Sequence, residues 1–133
     1  MSHRIDNRVE VAAGIILDED KVLIAKRPNC KHQGGLWEFP GGKIESSETL
    51  EEALSRELNE ELDIQVIQCE FYKKIDFDYS DKKVSLSFCL VSKFSGNPKG
   101  MEGQIIKWVL KDELINYKFP EANQRIIDNL LMS

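Results

Sequence analysis

The segment from Thr49 to Leu62 sets the tightest limit on what this chain can fold into, because it reads as a helix with charge on the wrong side. Leu50, Ala53, Leu54 and Leu58 recur at the three- and four-residue spacing of a helical stripe. A helix at a protein surface normally keeps its carboxylates opposite that stripe. Projected at about 100° per residue, Glu52 and Asn59 obey the rule. Glu61 instead falls within roughly 20° of the centre of the apolar arc and Glu57 within roughly 60°, with Glu60 at the edge of that half. Three carboxylates at i, i+3 and i+4 thus share one side. Such a gathering of like charge costs stability unless a cation neutralises it. Hard, oxygen-ligated Mg²⁺ or Mn²⁺ is the natural candidate. A Glu-rich, solvated helix end would give the same pattern, so on the helix alone both readings stand open.

Around this helix the sequence changes period. Val9–Leu17 and Lys21–Ala25 are rich in β-branched residues and predict two strands joined by a short polar loop, Asp18-Glu19-Asp20. Residues 28–35 form a loop by composition, Leu36-Trp37-Glu38-Phe39 a brief extended piece, and Pro40-Gly41-Gly42 a break in regular structure. Ser47 is the expected N-cap of the helix, with Glu48 favouring its start electrostatically. Ile64–Ile75, Val84–Val91 and Ile105–Leu110 predict further strands, with a loop at Ser95–Gly100. Glu121–Leu131 predicts a C-terminal helix with Ile126, Ile127, Leu130 and Leu131 on its apolar side. Strands and helices mingle without repeats or linkers in 133 residues, which fits one domain over 1–133. The economical fold is α/β, a mixed sheet with helices on both faces.

Gly41-Gly42-Lys43 leads into the helix and brings backbone N–H groups and a lysine near the carboxylates. A glycine-rich loop can approach phosphates closely, and a helix start favours anions. Arg56 fits two ordinary i,i+4 pairs, with Glu52 and with Glu60.

Taken together, Gly42 to Ile64 (GKIESSETLEEALSRELNEELDI) resembles the Nudix box. That signature is a glycine, five residues, a glutamate, seven residues, Arg-Glu-apolar-x-Glu-Glu, then x-Gly-apolar. Gly42, Glu48, Arg56, Glu57, Leu58, Glu60, Glu61 and Ile64 all fall at the required spacing. The one departure is Asp63 where the family usually has glycine. Asp tolerates the left-handed conformation expected there better than most residues, at a cost of about 1 kcal/mol or less.

The resemblance extends over nearly the whole chain and is closest to the MutT-type branch, the 8-oxo-dGTP diphosphatases. VAAGIIL, KVLIAKRP, LWEFPGGKIE, the GMEGQ loop and FPEAN all have counterparts in order. It implies an α/β/α sandwich with a mixed β-sheet and divalent-metal-dependent hydrolysis of a nucleoside triphosphate to the monophosphate and pyrophosphate. Position by position it implies Glu57, Glu60, Glu61 and Glu102 as catalytic and metal-binding acids. The backbone around Gly41 and Gly42 adds metal-binding oxygen. Glu48 and Arg56 organise the loop–helix unit. Glu57 is the favoured general base and Glu102 the alternative.

For the nucleotide, the resemblance implies Asn123 on the purine edge, where an amide offers a donor and an acceptor together. A helix N-cap is the competing role for that residue. Phe39 matches a pocket aromatic or a core residue, and Arg27 a contact near the sugar and phosphates. Tyr79 and Lys82 stand where this branch often has Phe and Arg, and Lys lacks the planar fork of Arg. Trp37 resembles instead the CTP pyrophosphohydrolases, the alternative within the enzyme class. A silent nucleotide-binding module is the alternative outside it, and retention of Glu57, Glu60 and Glu61 argues against that.

The net charge of −5 argues against a partner with a phosphate backbone, since nucleic-acid binders carry a basic face. An acidic enzyme can still bind a polyphosphate if a divalent cation stands between them. The polar opening residues 1–8 lack the apolar core of a signal peptide, and no apolar run matches a bilayer span, so the expected setting is the cytoplasm, as a monomer without membrane partners. Three cysteines, Cys30, Cys69 and Cys89, are far apart, with no CxxC pair, and His3 and His32 are too separated to make a metal site. The cysteines are expected to be reduced thiols without a chemical role.

Overall fold

Alternation along the first strand decides the layering. In β1 (Val9–Asp18), Ala13 and Ile15 pack into one core while Ala12 and Ile16 pack into another. Successive side chains of a strand point to opposite faces, so a strand buried on both sides must lie inside a sandwich. The computed structural model describes residues 8–26 and 35–132. Arg27, Cys30, His3 and His32 lie outside the described residues.

In chain order β1 is followed by β2 (Lys21–Lys26), β3 (Trp37–Glu38), β4 (Gly41–Lys43), α1 (Leu50–Leu62), β5 (Gln65–Asp78), β6 (Lys83–Ser95) and β7 (Ile106–Leu110). A 3-10 helix (Lys111–Asn116) and α2 (Glu121–Met132) complete it. The sheet runs β3-β2-β1-β6-β5, with β4 added to β1 and β7 to β2. β1 and β6 run parallel, Val9 beside Val84 through Ile16 beside Val91, and the other pairs are antiparallel. This is the expected mixed sheet of an α/β fold.

α1 covers one face through Ala53, Leu54, Leu58 and Leu62, which pack with Ile16, Leu23 and Val91. Gly14 allows the helix to lie close: a Cβ there would stand 3.2 Å from a Leu58 methyl and 3.4 Å from a Leu54 methyl. α2 covers the other face through Ile126, Ile127 and Leu130, against Ile15, Ile24 and Phe88. Truncating any of these buried leucines or isoleucines to alanine costs about 2–5 kcal/mol.

Three local expectations are corrected. The N-cap of α1 is Thr49, not Ser47: its hydroxyl accepts the Glu52 N–H at 3.1 Å while the Glu52 carboxylate accepts the Thr49 N–H at 2.9 Å. This reciprocal pair satisfies two amides at once, which Ser47 cannot do from two residues upstream. Gly41-Gly42 does not interrupt the sheet but forms β4, in register with Ala12 and Ala13 of β1. Asn123 is not a helix N-cap, since α2 already begins at Glu121. Asp63 does take the left-handed conformation (φ 60°, ψ 39°) and ends α1 with its N–H on the Asn59 carbonyl.

Cys89 is buried and Cys69 half-buried. Burial pushes the Cys89 thiol up to about 12 and raises Cys69 as well, which leaves almost no thiolate at neutral pH. Replacing all three cysteines with Ala or Ser should therefore leave turnover per folded molecule within about twofold of the parent. A steady-state assay normalised to folded protein by circular dichroism checks this, and a large specific loss would reveal a thiol role.

Candidate active site

The charged face of α1 is seated by the strand before it. Gly42 lies so close to Glu57 that a Cβ on residue 42 would stand 2.5 Å from both carboxylate oxygens. A glycine at this point of β4 is what lets the carboxylate approach the sheet.

Arg56 holds that carboxylate in place. Its guanidinium donates to Glu48 through Nε at 2.6 Å and through Nη2 at 2.9 Å, a bidentate pair. Nη1 donates to Glu57 at 2.9 Å, and Nη2 also reaches the Lys43 carbonyl at 3.0 Å. Of the two expected i,i+4 pairs, the one with Glu60 is present at 3.5 Å from Nη1, while Glu52 serves the N-cap instead. The Arg56 bonds and the Glu45 N–H hold the Glu48 carboxyl down at about 2. Glu48 and Arg56 thus tie the loop to the helix.

Glu61 carries the strongest perturbation. Burial, a hydrogen bond with Glu57 and the charges of Glu57, Glu38 and Glu102 push its carboxyl up to about 9. A proton on the Glu57–Glu61 pair relieves a repulsion that a bound cation would relieve equally. The projection that set Glu61 and Glu57 on the inner side and Glu60 at the edge matches their surroundings: the Glu57 side chain is 15% exposed and that of Glu60 57%. Among the described residues no three acids yet enclose a point, because Glu57 is turned onto Arg56 and Glu60 toward solvent. The donor set is nonetheless chemically suited to a hard divalent ion, being all carboxylate oxygen with a surplus of negative charge.

Glu102 reaches the site by a loop strapped to the end of α1. The last carbonyls of a helix lack intrahelical partners. Here Lys99 N–H donates to the Leu62 carbonyl at 2.9 Å and Met101 N–H to that of Glu61 at 3.0 Å. The Gln104 side chain donates to the same Glu61 carbonyl at 3.1 Å and accepts the Glu102 N–H at 2.9 Å. Glu102, exposed and distant in sequence, is thereby placed beside Glu61.

These acids border a cavity of about 350 Å³, within the usual range for small-molecule sites. Glu61, Glu102, Gly41 and Gly42 line it, and so do Phe39, Tyr79, Lys82 and Asn123. Phe39 is 3% exposed, stacks on Phe119 at 5.4 Å and also reaches the cavity wall. Asn123 is 8% exposed, a polar side chain held inside. Lys26, Glu38 and Gln104 line the cavity as well and were missed by sequence reasoning. Trp37 does not line it; it packs edge-on against Tyr117 at 5.5 Å.

The sequence matches the NUDIX domain profile over residues 11–129. An 8-oxo-dGTP diphosphatase of Haemophilus influenzae is 40% identical over 124 residues, 92% of this chain and 91% of that protein. A CTP pyrophosphohydrolase of Escherichia coli is 35% identical over 120 residues, covering 90% and 89%. A solved structure from work on MutT of Aliivibrio salmonicida and Vibrio cholerae superposes with a TM-score of 0.82 at 42% identity, covering 94% of this chain and 98% of that one. The chain belongs to the Nudix family, and within it to the pyrophosphohydrolases that act on nucleotides with a divalent metal. No helix among the described residues is long and apolar enough to cross a membrane.

Proposed function

We propose that this protein hydrolyses 8-oxo-dGTP to 8-oxo-dGMP and pyrophosphate with Mg²⁺ or Mn²⁺, clearing an oxidised nucleotide before it enters DNA. The observation that carries the proposal is the presence, along one cavity wall, of the carboxylates Glu38, Glu61 and Glu102 together with the buried Asn123 amide. Glu57, Glu60, Glu61 and Glu102, with backbone oxygen near Gly41 and Gly42, would hold the metal. A bound divalent cation supplies charge neutralisation between triphosphate and glutamates and polarises phosphorus. Glu57, already oriented by Arg56, takes the proton of the attacking water, with Glu102 the other carboxylate able to do so. Lys26 and Lys82 border the same cavity and offer positive charge to the phosphates. Arg27 stays a proposed contact near the sugar and phosphates. One domain spans the chain, acting as a cytoplasmic monomer.

Asn123, with Phe39 and Tyr79 beside it, reads the base. Oxidised guanine differs from guanine at one carbonyl and one N–H, so discrimination needs a buried group left unpaired by the wrong base. Asn123→Ala should shrink the preference for 8-oxo-dGTP over dGTP by about tenfold or more, while general triphosphate hydrolysis falls less. The second reading, a pyrimidine substrate, is favoured by the similarity to a CTP pyrophosphohydrolase. The deciding measurement is kcat/KM across 8-oxo-dGTP, dGTP, CTP and 5-methyl-dCTP. A pyrimidine at the head of that panel would overturn the oxidised-purine assignment and leave the hydrolytic chemistry standing.

A further inference from the structure

α2 begins without a cap of its own. The Pro120 carbonyl accepts the Gln124 N–H at 3.0 Å, the first turn of the helix, which puts Pro120 at the N-cap position. Proline has no side-chain oxygen, so the first-turn amides lack the acceptor that Ser, Thr, Asp or Asn would supply. The acceptor comes from 43 residues away: Ala122 N–H donates to the Tyr79 hydroxyl at 3.1 Å. Ala122 is fully buried, so its amide has no water to fall back on.

Tyr79 is itself well fixed. Its N–H donates to the Lys82 carbonyl at 2.8 Å across the turn between β5 and β6. Its ring lies 4.7 Å from that of Phe77, and Arg125 of α2 sits over Phe77 at 4.9 Å. The tip of the hairpin and the start of the helix are therefore joined at two points. Asn123, the residue after Ala122, shares the cavity wall with Tyr79 and Lys82.

We infer that the Tyr79 hydroxyl is a positioning group, a helix cap supplied from another element that fixes where the Asn123 amide stands in the cavity. It makes the hairpin tip and the helix start one wall, and its hydroxyl acts on nucleotide affinity through Asn123. The inference rests on the reading that this end of the cavity holds the nucleobase.

Tyr79→Phe removes the hydroxyl and keeps the ring. In that variant the Ala122 amide should exchange with solvent about tenfold faster, as loss of a cap predicts. KM for the leading nucleotide of the panel should rise about fivefold with kcat within about twofold. In the double variant with Asn123→Ala, KM should be no higher than with Asn123→Ala alone, because the hydroxyl acts through the amide. An unchanged Ala122 exchange rate would overturn the cap, and additive KM effects would overturn its action through Asn123. Because the assay uses whichever nucleotide leads the panel, failure of the oxidised-purine assignment leaves this test intact.

Discussion

Glu61→Gln should lower turnover by at least about a hundredfold while the fold survives. Gln keeps the shape of the side chain and removes its charge, so Leu58 and Leu62 on the same helix keep their packing. What is lost is a negative oxygen beside Glu57 and Glu102, on which the proposed cation site depends. The variant should accordingly lose most of the thermal stabilisation that saturating Mn²⁺ gives the parent. Full turnover in Glu61→Gln, or in excess chelator, would sink the metal site.

The same residue makes a pH prediction for metal-free protein. With its carboxyl near 9 in the fold and at 4.5 ordinarily, Glu61 holds a proton between those values that the unfolded chain has shed. Folded protein then binds more protons than unfolded at this site, so the Glu61 contribution to stability is fully present below about 4.5 and is lost as pH rises toward about 9. Urea midpoints measured in chelator across that window should fall with pH for the parent and stay flatter for Glu61→Gln. Identical slopes for the two proteins would contradict the burial of this charge.

Gly42→Ala is expected to be nearly as damaging, with a different cause. Gly42 is not among the glycines with positive φ, so backbone strain is not at issue. The added methyl would stand 2.5 Å from the Glu57 oxygens, and something must move. β4 is tied to Ala12 and Ala13 of β1, and α1 is packed by four buried side chains, so the Glu57 carboxylate gives way. It would leave Arg56, whose guanidinium keeps its bidentate hold on Glu48. Turnover should fall about a hundredfold and Mn²⁺ affinity with it, at a stability cost of about 1–3 kcal/mol. Wild-type Mn²⁺ affinity in a titration of the variant would show that Glu57 does not need this approach.

The site was legible in the sequence where a local pattern carries chemistry. The helical period alone set Glu61 and Glu57 on the inner side of α1, and the spacing from Gly42 to Ile64 named the family. The strands and both helices followed from period and composition, with ends displaced by a few residues. What escaped depends on partners distant in sequence. Gly41-Gly42 looks like a break until β1 is there to pair with it. Arg56 has i,i+4 partners in any helix, and only the folded loop brings Glu48 to it. Glu38 and Gln104 are unremarkable in sequence, since one becomes part of the site by sheet pairing and the other by strapping a loop. Trp37, which suggested a pyrimidine relative, sits against Tyr117 and not in the cavity.

The parallel pairing of β1 with β6 has a consequence for how the protein comes into being. The glutamate helix is local and well capped, so its sequence can favour a helix soon after synthesis. Its seat is not local: β1 gains its parallel neighbour only when residues Val84–Val91 are available to lie beside Val9–Ile16. Contacts so far apart along a chain form late and slowly. On the ribosome, the acids of α1 therefore exist for a time as an exposed, solvated stretch, and gain their seat against the sheet only once the second half of the polypeptide has emerged.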